Sequence, residues 1–106
     1  MQNIKFEYEG KAYCLCYTRE SVRQIEAQGF NITEIQSKAQ NMVPLLFYGA
    51  FFKNHRGIKR KLVDEIWSHI KSPEILEALI EMYSDTIDDL MEGDPDDPKR
   101  IVWERG

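Results

Sequence analysis

The segment Asn41–Lys61, NMVPLLFYGAFFKNHRGIKRK, has no charged residue from Met42 to Phe52, and four of those eleven positions are Phe or Tyr. It then turns basic at Lys53, Arg56, Lys59, Arg60 and Lys61, with no acid among them. Asn41 can cap a helix from Met42, and Pro44 suits its first turn, where a missing N–H costs little. On that helix Val43, Phe47, Ala50 and Phe51 lie on one side, and Leu45, Tyr48 and Phe52 on the other. A helix with no polar face sits at the centre of a core or is shared with a partner. Gly49 lets a neighbouring backbone close in, and Gly57 ends the helix.

Toward the N-terminus the period changes to two. Ile4, Phe6 and Tyr8 alternate with Lys5, Glu7 and Glu9, and Tyr13, Leu15 and Tyr17 alternate with Ala12, Cys14 and Cys16. With Glu9-Gly10 between them, these runs predict a β-hairpin. A lone hairpin is marginal in water, so it must pack on helices or join another sheet. Thr18 can cap a helix over Arg19–Gln28 that turns Val22 and Ile25 inward and stops at Gly29. Asn31 and Glu34 form a capping-box pattern for a short helix holding Ile32 and Ile35. Ser37–Gln40 reads as a loop.

Toward the C-terminus, Lys59–Ile70 is amphipathic through Leu62, Val63, Ile66, Trp67 and Ile70. Ser72-Pro73-Glu74 supplies a cap, a first-turn proline and an acid for the next helix N-terminus. That helix runs to about Glu92 on Ile75, Leu76, Leu79, Ile80, Tyr83, Ile87 and Leu90, and Gly93 stops it. The expected fold class is α+β, mainly helical: an N-terminal β-hairpin followed by a bundle of four to five helices. Residues 1–93 form one domain. Residues 94–106 form an acidic linker, flexible over Gly93–Pro98, and a short apolar tail at Ile101–Trp103.

The 106 residues suit one domain, and a core this small often leans on a partner or on self-association. A net charge of −4 argues against general nucleic-acid binding. No apolar run approaches the ~20 residues a membrane-spanning helix needs. The N-terminus has no apolar signal core, so a cytosolic protein is the default expectation. Cys14 and Cys16, two apart on a strand, are too far apart for an easy disulfide and read as small buried thiols. His55 and His69 share no ligand spacing with them, so neither metal nor cofactor is expected. There is no phosphate loop, nucleophile elbow or paired metal ligand, so no catalytic residue is expected. Glu77 and Glu81 read as a solvated face. His55, beside Arg56, reads as a cation at a helix C-terminus.

Charge is segregated along the chain. Residues 64–97 hold twelve acids and one lysine, Lys71, downstream of the basic cluster. The expected self-association surface sets Lys53, Arg56, Lys59, Arg60 and Lys61 of one subunit against Asp85, Asp88, Asp89 and Glu92 of the next. The expected partner-binding surface is Phe47, Tyr48, Phe51 and Phe52, joined by Trp103. Phe47, Phe51 and Phe52 serve equally as core, and a helix apolar on both sides can do both.

The order of these signals carries a resemblance. GKAYCLCYTRESVRQIEAQGF, then VPLLFYGAFFKNH, VDEIW and EMYSDTIDDLMEG, with a late Trp-Glu, resembles the small tail assembly chaperones of long-tailed, siphovirus-type bacteriophages and prophages of Gram-positive bacteria. It covers almost the whole chain, through apolar and aromatic spacing. The resemblance implies a non-catalytic protein that binds the tape measure protein and keeps it soluble until tail-tube protein polymerises around it. It implies self-association into rings or spirals, a second contact with tail-tube protein, a place in the host cytoplasm and absence from the finished virion. Many such chaperones have a longer form made by ribosomal frameshifting. The alternative is a small prophage-encoded regulatory adaptor, or antitoxin-like protein, that buries one partner helix.

Overall fold

The computed structural model describes residues 3–91 and 96–105, with the side chains of all of these but Asp89 and Leu90. Strands β1 (Ile4–Tyr8) and β2 (Lys11–Leu15) form an antiparallel hairpin, with Ile4 opposite Leu15 and Tyr8 opposite Lys11. Helices α1 (Arg19–Ala27), α2 (Ala39–Gly49), α3 (Arg60–Ile70) and α4 (Pro73–Met91) follow, with a 3-10 turn at Ile32–Glu34 between α1 and α2. This is the α+β, mainly helical arrangement expected. The two-residue loop has φ of 50° at Glu9 and 79° at Gly10, the paired left-handed conformation of a tight hairpin turn.

Helix α2 is the hub, touching α1, α3 and α4, which explains why it has no polar face. Phe47 and Phe51 are fully buried. Their rings meet edge to face at 5.0 Å; Phe47 also packs on Trp67, and Phe51 on Phe6 and Tyr13. A Cβ added at Gly49 would lie 2.6 Å from Ile25 Cγ2, so the glycine lets α1 close onto α2. The neighbour admitted is a side chain rather than backbone.

Helix α2 begins three residues earlier than expected. Asn41 does not cap it: Lys38 stands at the cap position without a side-chain bond, and its carbonyl accepts from the amides of Asn41 and Met42. Pro44 is therefore the sixth helical residue. Its missing N–H falls opposite Gln40, an exposed residue of the first turn. The helix also ends early, at Gly49, and Gly57 closes the following turns instead. The freed Leu46 carbonyl accepts from the buried Tyr17 hydroxyl at 2.6 Å, and the Ala50 carbonyl accepts from the Cys16 amide at 3.1 Å. These two bonds clamp the end of the hairpin to the end of α2.

The same clamp breaks the alternation expected through Tyr17. Strand β2 stops at Leu15, and Leu15, Cys16 and Tyr17 are consecutively buried, while Cys14 is half-buried on the other face. The two thiols are free, and burial pushes that of Cys16 up. Thr18 and Ser21 cap α1 reciprocally, as Thr18 was expected to do. Asn31 caps the short turn by accepting from the Thr33 amide, not through Glu34. Ser72 accepts from Ile75 N–H at the start of α4.

Strand β1 is tied to α3, where the Tyr8 hydroxyl donates to Glu65 at 2.7 Å; that bond chiefly pushes the phenol up to about 12. Tyr83 of α4 donates to Glu26 of α1, and burial first, then Glu26, pushes its phenol up to about 12. Part of the linker expected at Gly93–Pro98 lies outside the described residues. Beyond it, Ile101, Val102 and Trp103 are exposed, Trp103 by 77%.

Candidate functional site

A cleft of about 600 Å³ opens between α1 and the turns that follow α2. Its α1 wall is polar: Thr18, Glu20, Ser21, Gln24 and Gln28. The facing wall carries Tyr48, Phe52, Lys53, Arg56, Gly57 and Ile58. Its composition follows from helical spacing. Phe47 and Phe51, four apart, point into the core. Tyr48 and Phe52, each one position on, are turned away from them onto the cleft face. There they are half-buried, edge to face at 4.7 Å. The charged residues begin where the core contact ends, so Lys53 and Arg56 form a cationic rim against an aromatic floor.

Four predicted site residues thus come together. Tyr48 and Phe52, expected on a partner surface, and Lys53 and Arg56, expected on a self-association surface, line one cleft. Phe47 and Phe51 do not belong to it: with no exposed surface they contribute to the fold and are withdrawn from any partner contact. Trp103 is exposed and does not line this cleft.

The basic cluster is divided. The Arg60 guanidinium lies 5.0 Å over the Tyr48 ring, and its Nε is 3.4 Å from Asp64. The acid it meets within the chain is one helical turn away. Lys53, Arg56, Lys59 and Lys61 are exposed and make no ion pair among the described residues. On α4, Asp85 and Asp88 are exposed. The Asp89 side chain and Glu92 lie outside the described residues.

His55 departs from its expected role. Its Nε2 accepts the Cys14 amide hydrogen at 3.0 Å, and Asn54 Nδ2 donates to the Cys14 carbonyl at 3.2 Å. Burial first, and then the charge of Lys11, lowers its pKa from the ordinary 6.5. It is a neutral acceptor that seals the outer edge of β2, not a helix-end cation. Because the folded value is depressed, this contribution is fully present above pH ~6.5 and is lost as pH falls through the lowered value. His55→Gln can accept the same bond without titrating. Melting curves should therefore fall more between about pH 7 and about pH 5 in the wild type than in His55→Gln. Equal falls would contradict this role.

Glu20, Gln24 and Gln28 are cleft residues that sequence reasoning missed. Their spacing marks only the polar face of α1, the pattern any solvated helix face gives. Gln24 Nε2 donates to Glu20 at 3.2 Å, and the Ser21 hydroxyl is taken up by the Thr18 cap. Chemically, the wall offers amide donors and acceptors and the Glu20 carboxylate, held by Gln24, opposite two cations and two aromatic rings. That set suits apolar side chains with acids beside them.

The profile of a domain of unknown function, DUF5055, matches residues 1–105. No curated protein and no solved structure matches. No helix among the described residues is long and apolar enough to cross a membrane.

Proposed function

We propose that this chain, which belongs to the DUF5055 family, is a non-catalytic chaperone that holds an amphipathic helix of a phage tape measure protein in the α1–α2 cleft. The observation that carries the reading is the cleft itself: Tyr48, Phe52 and Ile58 form an apolar floor, and Lys53 and Arg56 form a basic rim. Helix-in-groove recognition uses apolar anchors spaced along one face, with charged neighbours setting direction. A tape measure protein, long, helical and apolar, presents many such faces. The client's identity rests on the resemblance in the order of apolar and aromatic signals. Holding it soluble until tail-tube protein assembles places the chaperone in the host cytoplasm and outside the finished virion. Neither nucleic acid nor membrane is a partner in this reading.

Self-association belongs to the same proposal. The outward cations, Lys59 and Lys61 among them, face acids of a neighbour's α4 around Asp88, in a head-to-tail contact that builds rings or open spirals. Exposed pairs contribute only ~0–1 kcal/mol each, so they set register while apolar contacts hold the assembly.

The test uses purified protein and overlapping synthetic peptides of the tape measure protein. Amphipathic segments with acids beside the apolar face should bind best. Lys53→Glu with Arg56→Glu should weaken them by up to about tenfold and favour segments with basic flanks. Binding indifferent to the flanking charge in both proteins would contradict the basic rim.

A further inference from the structure

The two edges of the hairpin differ: β2 is covered at Cys14 and Cys16, and β1 is open. On β2, the Cys14 amide donates to His55, the Cys14 carbonyl accepts from Asn54, and the Cys16 amide donates to Ala50. Both backbone groups of Cys14 therefore point away from β1. The Lys5–Cys14 pair is then a non-hydrogen-bonded pair of the ladder, and Ile4–Leu15, Phe6–Tyr13 and Tyr8–Lys11 are the bonded ones. It follows that the backbone N–H and C=O of Lys5 and Glu7 point outward from β1. No described residue bonds to them there. Asn3, Lys5, Glu7 and Glu9 are exposed along this strand, and Ile4, Phe6 and Tyr8 are only half-buried.

We propose that this edge pairs with β1 of a second copy of the chain, antiparallel about a two-fold axis at Phe6, giving a four-stranded sheet across two subunits. The charge pattern selects both occupant and register. The outward backbone groups belong to odd-numbered residues, so odd must meet odd across the new ladder. A register centred on Lys5 sets that lysine against its own copy, and one centred on Glu7 sets two glutamates together. Centred on Phe6, Lys5 faces Glu7 of the partner subunit at two symmetry-related positions. In that register Ile4 faces Tyr8 of the partner subunit, so the half-exposed inner face is also covered.

Charged residues on an edge usually block pairing. Here Lys5 and Glu7 are opposite in sign, so the strand complements itself about Phe6, and β2, unlike β1, is covered by its own chain at Cys14 and Cys16. A five-residue edge buries far less than the roughly 1,200–2,000 Å² of a stable complex. The dimer is therefore weak and concentration-dependent. It is isologous, distinct from the head-to-tail contact, and independent of whether the cleft takes a client helix.

Sedimentation equilibrium of the full chain over a wide concentration range tests it. With the head-to-tail cations reversed (Lys59→Glu with Lys61→Glu, the background for every variant below), the chain should fit a monomer–dimer equilibrium. Lys5→Glu and Glu7→Lys, which set like charges opposite each other twice, should each weaken the dimer by about tenfold or more. The double swap Lys5→Glu with Glu7→Lys should restore it. Glu7→Pro removes an outward N–H and no bond of the β1–β2 ladder, so it should give a monomer with unchanged circular dichroism. Four results overturn the proposal: a background chain monomeric throughout, a dimer that survives Glu7→Pro, a double swap that fails to rescue, or a dimer lost on deleting residues 99–106, which would make the tail the occupant.

Discussion

Phe51→Ala should lower unfolding free energy by about 3–5 kcal/mol, the range for deleting a fully buried aromatic ring. The ring is enclosed by Phe6, Tyr13, Phe47 and His55, contributed by both strands, α2 and the turn after it. Those elements are tied by backbone bonds on either side, so they cannot collapse to fill the space, and the upper part of the range applies. Domains of this size are stable by only about 5–15 kcal/mol in total, so the loss removes a large share of the stability. Phe47→Asp with Phe51→Asp places two carboxylates where no water or cation reaches them, and should prevent folding altogether. Urea denaturation monitored by circular dichroism measures both. A Phe51→Ala midpoint close to wild type would show that this ring is not the junction of hairpin and helices.

Phe52→Glu, one residue on, should do the opposite: little damage to the fold and a large loss of client binding. Phe52 is half-buried and packs chiefly on Tyr48, so its removal should cost about 1–2 kcal/mol of stability. In a complex the remaining half of the ring would be covered, which contributes about 0.8–1.5 kcal/mol and corresponds to roughly 4–12-fold in affinity. The new carboxylate would also occupy Lys53 and Arg56, the cations that would meet client acids, and so acts in the same direction. Peptide titration by fluorescence anisotropy reads the affinity, and a melting curve on the same sample reads the fold. Unchanged affinity would remove the aromatic floor from the binding surface.

The legible part of this molecule was whatever periodicity alone determines. The hairpin, the four helices and the central position of the all-apolar helix all follow from spacing. The inaccurate parts share one cause: local signals lost to tertiary partners. Asn41-x-x-Pro44 is a good helix start, yet α2 begins at Ala39, because Lys38 O collects two amides. His55 beside Arg56 suggests a cation, yet a strand amide forty-one residues away in the chain makes it an acceptor. The aromatic run is likewise ambiguous in sequence. Only the packing divides it into Phe47 and Phe51 for the core and Tyr48 and Phe52 for the cleft. The polar wall of that cleft carries no sequence signal at all, since Glu20, Gln24 and Gln28 would look the same facing water.

Co-expression with a phage tape measure protein is the sharpest test of the proposed function. The quantity read is the soluble fraction of the tape measure protein after lysis and centrifugation, with this chain or with Phe52→Glu. The account predicts that the wild type carries the client into the soluble fraction as a co-purifying complex, and that Phe52→Glu, though folded, leaves it in the pellet. A tape measure protein equally insoluble with and without this chain would contradict the account and point instead to an adaptor that buries a single helix of another partner.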